Sequence, residues 1–214
     1  PVGKVDFMDL YPLTFQEFLC ALGEERFVNI LQGTDTDMVR TFKSKYIDRL
    51  REYYYVGGMP EVVQTYVETK DFNQVRQIQK NLLNYYQQDF SKHAKTSLVP
   101  RLNLVWNSIP MQLAKKNKKY IYGQVRKGSR AKDFELAIQW LLDCGLIHKV
   151  QRTSIIPLEV KEEENLRAKS LKAFCEKYKP KYAVRTSMSD YREQEWMTNI
   201  PLYNIDRIKE YLEQ

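Results

Sequence analysis

The sequence predicts an α+β protein that is mostly α, and three observations carry that prediction. Apolar residues recur at helical spacing through most of the first 145 positions or so. Between Leu98 and Ser154 the order is helix, helix, strand, turn, helix, strand, which is the order of a winged helix. From Ile155 onward the pattern changes to strand, helix, strand, a βαβ unit. The expected organisation is therefore a helical segment at 1–97, a winged helix-like segment at 98–154 and a partial α/β unit at 155–214. A chain of 214 residues is long enough for one large core or two small ones.

The elements follow in order. Pro1 to Leu13 reads as an extended entry. Thr14-Phe15-Gln16-Glu17 is a capping box that opens a helix bearing Phe15, Phe18, Leu19 and Leu22, and Gly23 closes it. Lys43 to Tyr54 places Tyr46, Ile47, Leu50 and Tyr54 on one face. Gly57-Gly58 then permits a sharp turn, and Pro60 suits the first turn of a helix from Glu61 to Glu68. Phe72 to Phe90 is a longer helix with Val75, Ile78, Leu82 and Tyr86 on its stripe, and its Tyr85-Tyr86 pair reads as core and interface.

In the next segment Leu102, Val105, Trp106 and Ile109 form a stripe that Pro110 is expected to break, with a short helix following through Met111, Leu113 and Ala114. Tyr120-Ile121-Tyr122 reads as a brief strand and Gly128-Ser129 as a turn. Phe134, Ala137, Ile138, Leu141 and Leu142 give an amphipathic helix stopped by Gly145, and Leu146 to Val150 reads as a strand. Ile155 to Val160, Leu166 to Tyr178 and Tyr182 to Arg185 complete the strand–helix–strand pattern. A closing helix carries Ile205, Ile208, Tyr211 and Leu212.

Composition narrows the function. Hydrophobic content of 43% and charged content of 29% describe an ordinary globular protein. No apolar run approaches the roughly 18 residues that span a bilayer, and Lys4, Asp6 and Asp9 interrupt any signal peptide, so the expected location is cytoplasmic with no membrane partner. Cys20, Cys144 and Cys175 lie far apart in apolar helical patterns and read as buried, reduced thiols rather than a disulfide or zinc site. Two histidines, His93 and His148, leave His-based metal chemistry short of ligands. The net charge of +7 permits nucleic-acid contact. The charge is concentrated: Lys115, Lys116, Lys118, Lys119, Arg126, Lys127, Arg130 and Lys132 occur without one acidic residue between the first and the last. These eight are the candidate nucleic-acid-binding residues, and the helix from Arg130 to Asp143 is the element they flank.

The one catalytic-looking motif is Glu159-Val160-Lys161 at the end of an apolar run. A strand carrying Glu-x-Lys is the second half of a metal-dependent nuclease signature, in which the carboxylate helps hold Mg²⁺ and the lysine two residues on orients the attacking water. The first half, an acid on an earlier strand, has no counterpart, since Leu146 to Ser154 contains neither Asp nor Glu. No intact catalytic set and no metal site are expected.

Several segments together resemble bacterial predicted ATPases of the AAA+ superfamily. They are Pro1 to Val5, Leu10 to Leu19, Gly57 to Glu61, Asp89 to Ala94, Trp106 to Ala114, Pro157 to Lys161 and Asn199 to Tyr203. The resemblance implies a helical AAA+ lid-like segment at 1–97, a winged helix and a partial restriction-endonuclease-like unit, with ATP and Mg²⁺ as the family's cofactors. The family's P-loop, Mg²⁺-holding strand and sensor precede the position equivalent to Pro1. Its strand with the upstream Asp falls in a segment for which this chain has only Gln151 to Ser154. Two accounts fit this pattern: a truncated, internally deleted product, or joined parts of a longer chain. No cofactor is therefore expected for the chain itself. The implied role is a non-catalytic relative of an ATP-binding protein that binds DNA or an acidic protein partner. The alternative is the C-terminal part of an active ATPase or nuclease-like protein whose P-loop domain lies elsewhere.

Overall fold

The computed structural model describes residues 10–33, 35–115, 119–149, 157–161, 168–180 and 182–212. The chain is α+β and mostly α, and it divides into two compact units. The first comprises residues 1–78 and 153–214, the second 79–152.

The first unit begins with α1 (Phe15–Ala21). Its capping box forms: the Thr14 hydroxyl accepts from the Glu17 backbone N–H at 3.3 Å, and the Glu17 carboxylate accepts from the Thr14 N–H at 2.7 Å. Two orphan donors of the first turn are thus satisfied reciprocally, an effect on the order of 1 kcal/mol. Two short helices follow, α2 (Glu25–Gln32) and α3 (Thr36–Thr41), the latter capped by Asp35, whose carboxylate accepts from the Asp37 and Met38 N–H groups. Next come α4 (Lys43–Val56) and α5 (Pro60–Thr69), the second started by Pro60 as the sequence predicts.

The turn between α4 and α5 is held by the segment that leads into α1. Leu13 N–H donates to the Gly58 carbonyl at 2.7 Å, and the Tyr53 hydroxyl donates to the Leu13 carbonyl at 2.6 Å. Gly58 is required sterically, because a Cβ there would lie 2.2 Å from the Leu13 carbonyl oxygen. Phe18, Leu19, Leu31, Tyr46, Leu50, Val62 and Tyr66 are buried around this frame. The Tyr46 ring stacks on Tyr203 at 5.3 Å, and its hydroxyl donates to the Phe27 carbonyl at 2.9 Å.

The α/β part contains β1 (Leu158–Val160), β2 (Val184–Ser187), β3 (Arg192–Gln194) and β4 (Met197–Pro201), in the order β1-β2-β4-β3. The β1/β2 and β2/β4 pairs are parallel, and β3/β4 is an antiparallel hairpin. Numbering of the helices resumes here with α6 (Phe72–His93), α7 (Val99–Leu113), α8 (Tyr122–Val125), α9 (Ala131–Asp143), α10 (Lys169–Tyr178) and α11 (Ile208–Leu212). The strand–helix–strand unit of the sequence reading is β1, α10 and β2. Leu171 on α10 is buried with Ala168, Ala183 and Met197. Ile155 and Ile156 of the expected strand lie outside the described residues, as do Leu166 and Arg167 of the expected helix.

The second unit holds the rest of α6 from residue 79, then α7, α8 and α9. Phe90, Leu102, Val105, Phe134, Ala137 and Leu141 form its buried core, with Trp106, Ile109, Ile138 and Trp140 packed against them. Phe90 explains why the division falls at 78/79 rather than at the expected 97/98: the later turns of α6 contribute to this core.

Four expectations are corrected. Pro110 does not break the stripe: α7 runs through it to Leu113, because the loss of one backbone donor near a helix end is offset by burial of Leu102, Val105 and Gln112 along one face. The strand expected at Tyr120 to Tyr122 is absent, and Tyr122 instead starts α8. Leu146 to Lys149 form no strand, and Val150 lies outside the described residues, so the expected wing is not found among the described residues. The second strand is Val184–Ser187 rather than Tyr182 to Arg185, and the closing helix opens as a 3₁₀ helix at Leu202–Arg207 before α11.

Replacing Gly58 by alanine is expected to destabilise the first unit by about 2 kcal/mol or more, since backbone rather than a mobile side chain occupies the Cβ position. Urea unfolding followed by circular dichroism measures this. An unchanged midpoint contradicts the described Leu13–Gly58 approach.

Candidate functional site

Two places carry chemistry, one in each unit. The first is a polar row across the sheet. Glu159 on β1 is in register with Arg185 on β2, Arg185 with Asn199 on β4, and Asn199 with Arg192 on β3. Residues directly opposite in neighbouring strands share a face, so these side chains stand side by side. Arg185 is 0% exposed. Its Nε donates to Asn199 Oδ1 at 2.8 Å, and the Ser187 hydroxyl donates to the same oxygen at 2.8 Å. Asn199 Nδ2 in turn donates to the Asp190 carbonyl at 2.8 Å. Burial pulls the Arg185 pKa below its ordinary value, and the Glu159 carboxylate opposes that shift.

Glu159 is mostly buried and forms an ion pair with Lys161 at 3.7 Å, so the structure does bring the two residues of the Glu-x-Lys motif together. What stands beside Glu159, however, is a guanidinium and an ammonium. A Mg²⁺ ion needs a cluster of oxygen ligands carrying negative charge. Here the neighbouring strand supplies a cation, and among the described residues no group of three or more His, Cys, Asp or Glu converges. The row does not fit Mg²⁺. Nor does the Gly57-Gly58 turn fit a nucleotide phosphate: the close approach that Gly58 allows is taken by Leu13 of the same chain. Gly3 and Lys4 lie outside the described residues.

The second place is the turn between the four-residue α8 and α9. Tyr120 and Ile121 are anchored on α7: the Ser108 hydroxyl lies 3.2 Å from the Tyr120 hydroxyl, and Gln112 Oε1 accepts from the Ile121 N–H at 2.6 Å. Burial raises the Tyr120 pKa above its ordinary value. This anchoring sets the start of α8. A turn with Gly128 at positive φ follows, and then α9, whose first turn is capped by the Asp133 carboxylate accepting from the Arg130 N–H at 2.7 Å. Phe134, Ala137 and Leu141 fix the inner face of α9. Its outer face carries Lys132, Glu135, Leu136, Gln139 and Asp143, with Leu136 69% exposed.

The structure disperses the eight candidate basic residues unevenly. Lys119, Arg126, Lys127, Arg130 and Lys132 are exposed, four of them on the turn and the start of α9. Lys115 is half-buried at the end of α7, and Lys116 and Lys118 lie outside the described residues. The anchoring pair Ser108 and Gln112 escaped sequence reasoning. Its signal is two polar residues on the buried stripe of α7. Arg185 and Asn199 also escaped it, because a buried arginine mid-strand erases the apolar alternation that marks a strand. The cysteines are corrected too: Cys20 and Cys144 are exposed and Cys175 is half-buried, although all three are free thiols. Burial pushes the Cys144 and Cys175 thiols up in pKa, away from the reactive thiolate.

Compared with known proteins, residues 47–170 match the model of the family described as Domain of unknown function (DUF8612), and the chain belongs to that family. The matched stretch runs from within α4 to the start of α10 and includes the whole of the second unit. No curated protein and no solved structure matches the chain.

Two outcomes follow from the polar row. Asn199→Ala removes the buried oxygen that accepts from both Arg185 Nε and the Ser187 hydroxyl, and is expected to cost about 3 kcal/mol in chemical denaturation. A loss under about 1 kcal/mol contradicts the row as a structural unit. Plasmid incubated with the protein and Mg²⁺ or Mn²⁺ is expected to stay un-nicked, because Glu159 stands beside a guanidinium and an ammonium rather than beside a second carboxylate. Nicking that disappears in Glu159→Ala overturns the counter-ion role of Glu159.

Proposed function

We propose that this chain acts by binding, and that its ligand is duplex DNA held through the phosphate backbone by the turn between α8 and α9 in the second unit. The observation that carries the reading is the exposure of Arg126, Lys127, Arg130 and Lys132 together on the turn and first helical turn of α9, with Lys119 also exposed. Phosphate contacts position a protein on DNA without reading sequence, and release of condensed counterions makes them salt-dependent. The outer face of α9 supports this backbone mode over deep groove reading. Glu135 and Asp143 there repel phosphate, and Gln139 is engaged by Asp143 at 2.7 Å.

A protein partner is the second reading, and one observation favours it: Leu136 stands in the middle of that face, flanked by Glu135 and Gln139. The AAA+ resemblance gives such a partner a character, an acidic surface of a nucleotide-binding domain. In either case the basic residues make the contact.

Binding of a random-sequence duplex is expected to be weak, indifferent to sequence and steeply salt-dependent, with a log–log slope of about −4.5 if the five exposed cations each meet a phosphate. Fluorescence anisotropy measures it. Changing Arg126, Lys127, Arg130 and Lys132 together to Glu is expected to abolish the signal while leaving the circular dichroism spectrum unchanged. Absence of duplex binding by the wild type at low salt moves the assignment to the protein partner.

A further inference from the structure

The two edges of the sheet differ in a way that the binding role does not use. β3, one edge, presents Arg192 and Glu193 exposed, the charge pattern by which proteins keep an edge from pairing. β1, the other edge, is built in reverse. Its charged Glu159 turns inward beside Arg185, while its apolar residues are left in solvent, Leu158 at 47% and Val160 at 58% exposure. Among the described residues no strand lies against the outer side of β1.

The main chain there is poised to pair. Toward β2, Pro157 O accepts from the Val184 N–H at 3.0 Å and the Lys161 N–H donates to Thr186 O at 2.9 Å. Alternation along a parallel ladder then turns the N–H and C=O of Leu158 and Val160 to the open side.

We propose that the open edge of β1 pairs antiparallel with β1 of a second copy of this chain, about a two-fold axis through Val160. A second copy fits because the strand is self-complementary about that residue. Val160 meets its own image and exchanges both backbone hydrogen bonds with it, as an outward-facing residue on a dyad must. Glu159 falls opposite Lys161 of the partner subunit, and Lys161 opposite Glu159 of the partner subunit, on one face of the joined sheet. The two Val160 side chains cover one another on the other face. An unrelated strand has to supply a base and an acid in the matching order, which symmetry supplies here at once. The pairing stops at two copies, since among the described residues β1 is the one apolar edge of the sheet and β3 carries charge. An edge this short buries far less than the roughly 1,600 Å² of a standard interface, so the dimer is weak, in the micromolar range or above.

Sedimentation velocity of the whole chain without nucleic acid, from about 1 to about 300 μM, tests this. The expected result is a monomer–dimer shift with concentration. Val160→Lys sets two ammonium groups against each other on the axis, at an exposed site that leaves the fold intact, and is expected to hold the protein monomeric throughout. Val160→Pro removes the dyad hydrogen bonds without touching the bonds to β2, and is expected to do the same. Lys161→Glu replaces both cross-pairs with like charges and is expected to weaken the dimer at least tenfold. A wild type that stays monomeric over the range, or a dimer that survives Val160→Lys and Val160→Pro, overturns the proposal.

Discussion

A guanidinium with no exposed surface sets the terms for the whole α/β part of the first unit. Arg185 is held at its Nε by Asn199 and sits in register with Glu159, so three strands must align for one cation to be tolerated. A one-residue slip of β2 carries Arg185 to the opposite face, where its direct neighbours become Leu158 or Val160 on β1 and Thr198 or Ile200 on β4, none of them an acid or an amide. The sheet is short and mixed, and none of its strands exceeds five residues. Its register is specified less by apolar alternation than by the cost of misplacing a charge.

The same row decides what the Glu-x-Lys motif means. On a strand end, Glu159 and Lys161 share a face whatever their role, since side chains alternate with period two. Their neighbours assign the role. With a carboxylate across the sheet the pair leans toward a metal, whereas with Arg185 across the sheet Glu159 becomes a counter-ion inside the fold. A local motif cannot carry that difference, because Arg185 is 26 positions away in sequence and adjacent only through β1–β2 pairing. Family membership, resting on residues 47–170, takes in Glu159 but leaves Arg185, Arg192 and Asn199 outside the matched span.

How far the sequence spoke depended on whether the decisive contact was local. The Thr14–Glu17 capping box, Pro60 at a helix start and the stripe of Phe134, Ala137 and Leu141 are short-range patterns, and all appear as expected. The helix α2 was passed over although its sequence is amphipathic, because Glu24 makes no capping hydrogen bond that marks its start. Tyr120 and Tyr122 have strand-forming side chains, yet tethering of Tyr120 and Ile121 to Ser108 and Gln112 overrides that preference and lets α8 begin. β4 went unread because both its faces are buried and polar Asn199 stands among Met197, Ile200 and Pro201, so no alternation marks the strand. The basic run was legible as a charge cluster. Which of its members reach solvent near one turn was a matter of α8 and α9 geometry.

The fastening of α2 by Arg207 has a consequence for synthesis. Arg207 donates to the carbonyls of Leu31 and Gly33 at 3.0 and 2.9 Å, bridging 176 positions in the first case. At about 5–20 residues per second, a ribosome delivers that arginine roughly 10 to 35 seconds after Leu31 has formed. The N-terminal helices must wait through this interval with the end of α2 untied and the ring of Tyr46 lacking the Tyr203 that stacks on it. Residues 79–152 close on contacts among themselves and emerge complete during the same interval. Vectorial emergence thus inverts the order of the sequence: the middle of the chain can be finished first, and the beginning is finished by what comes last to it.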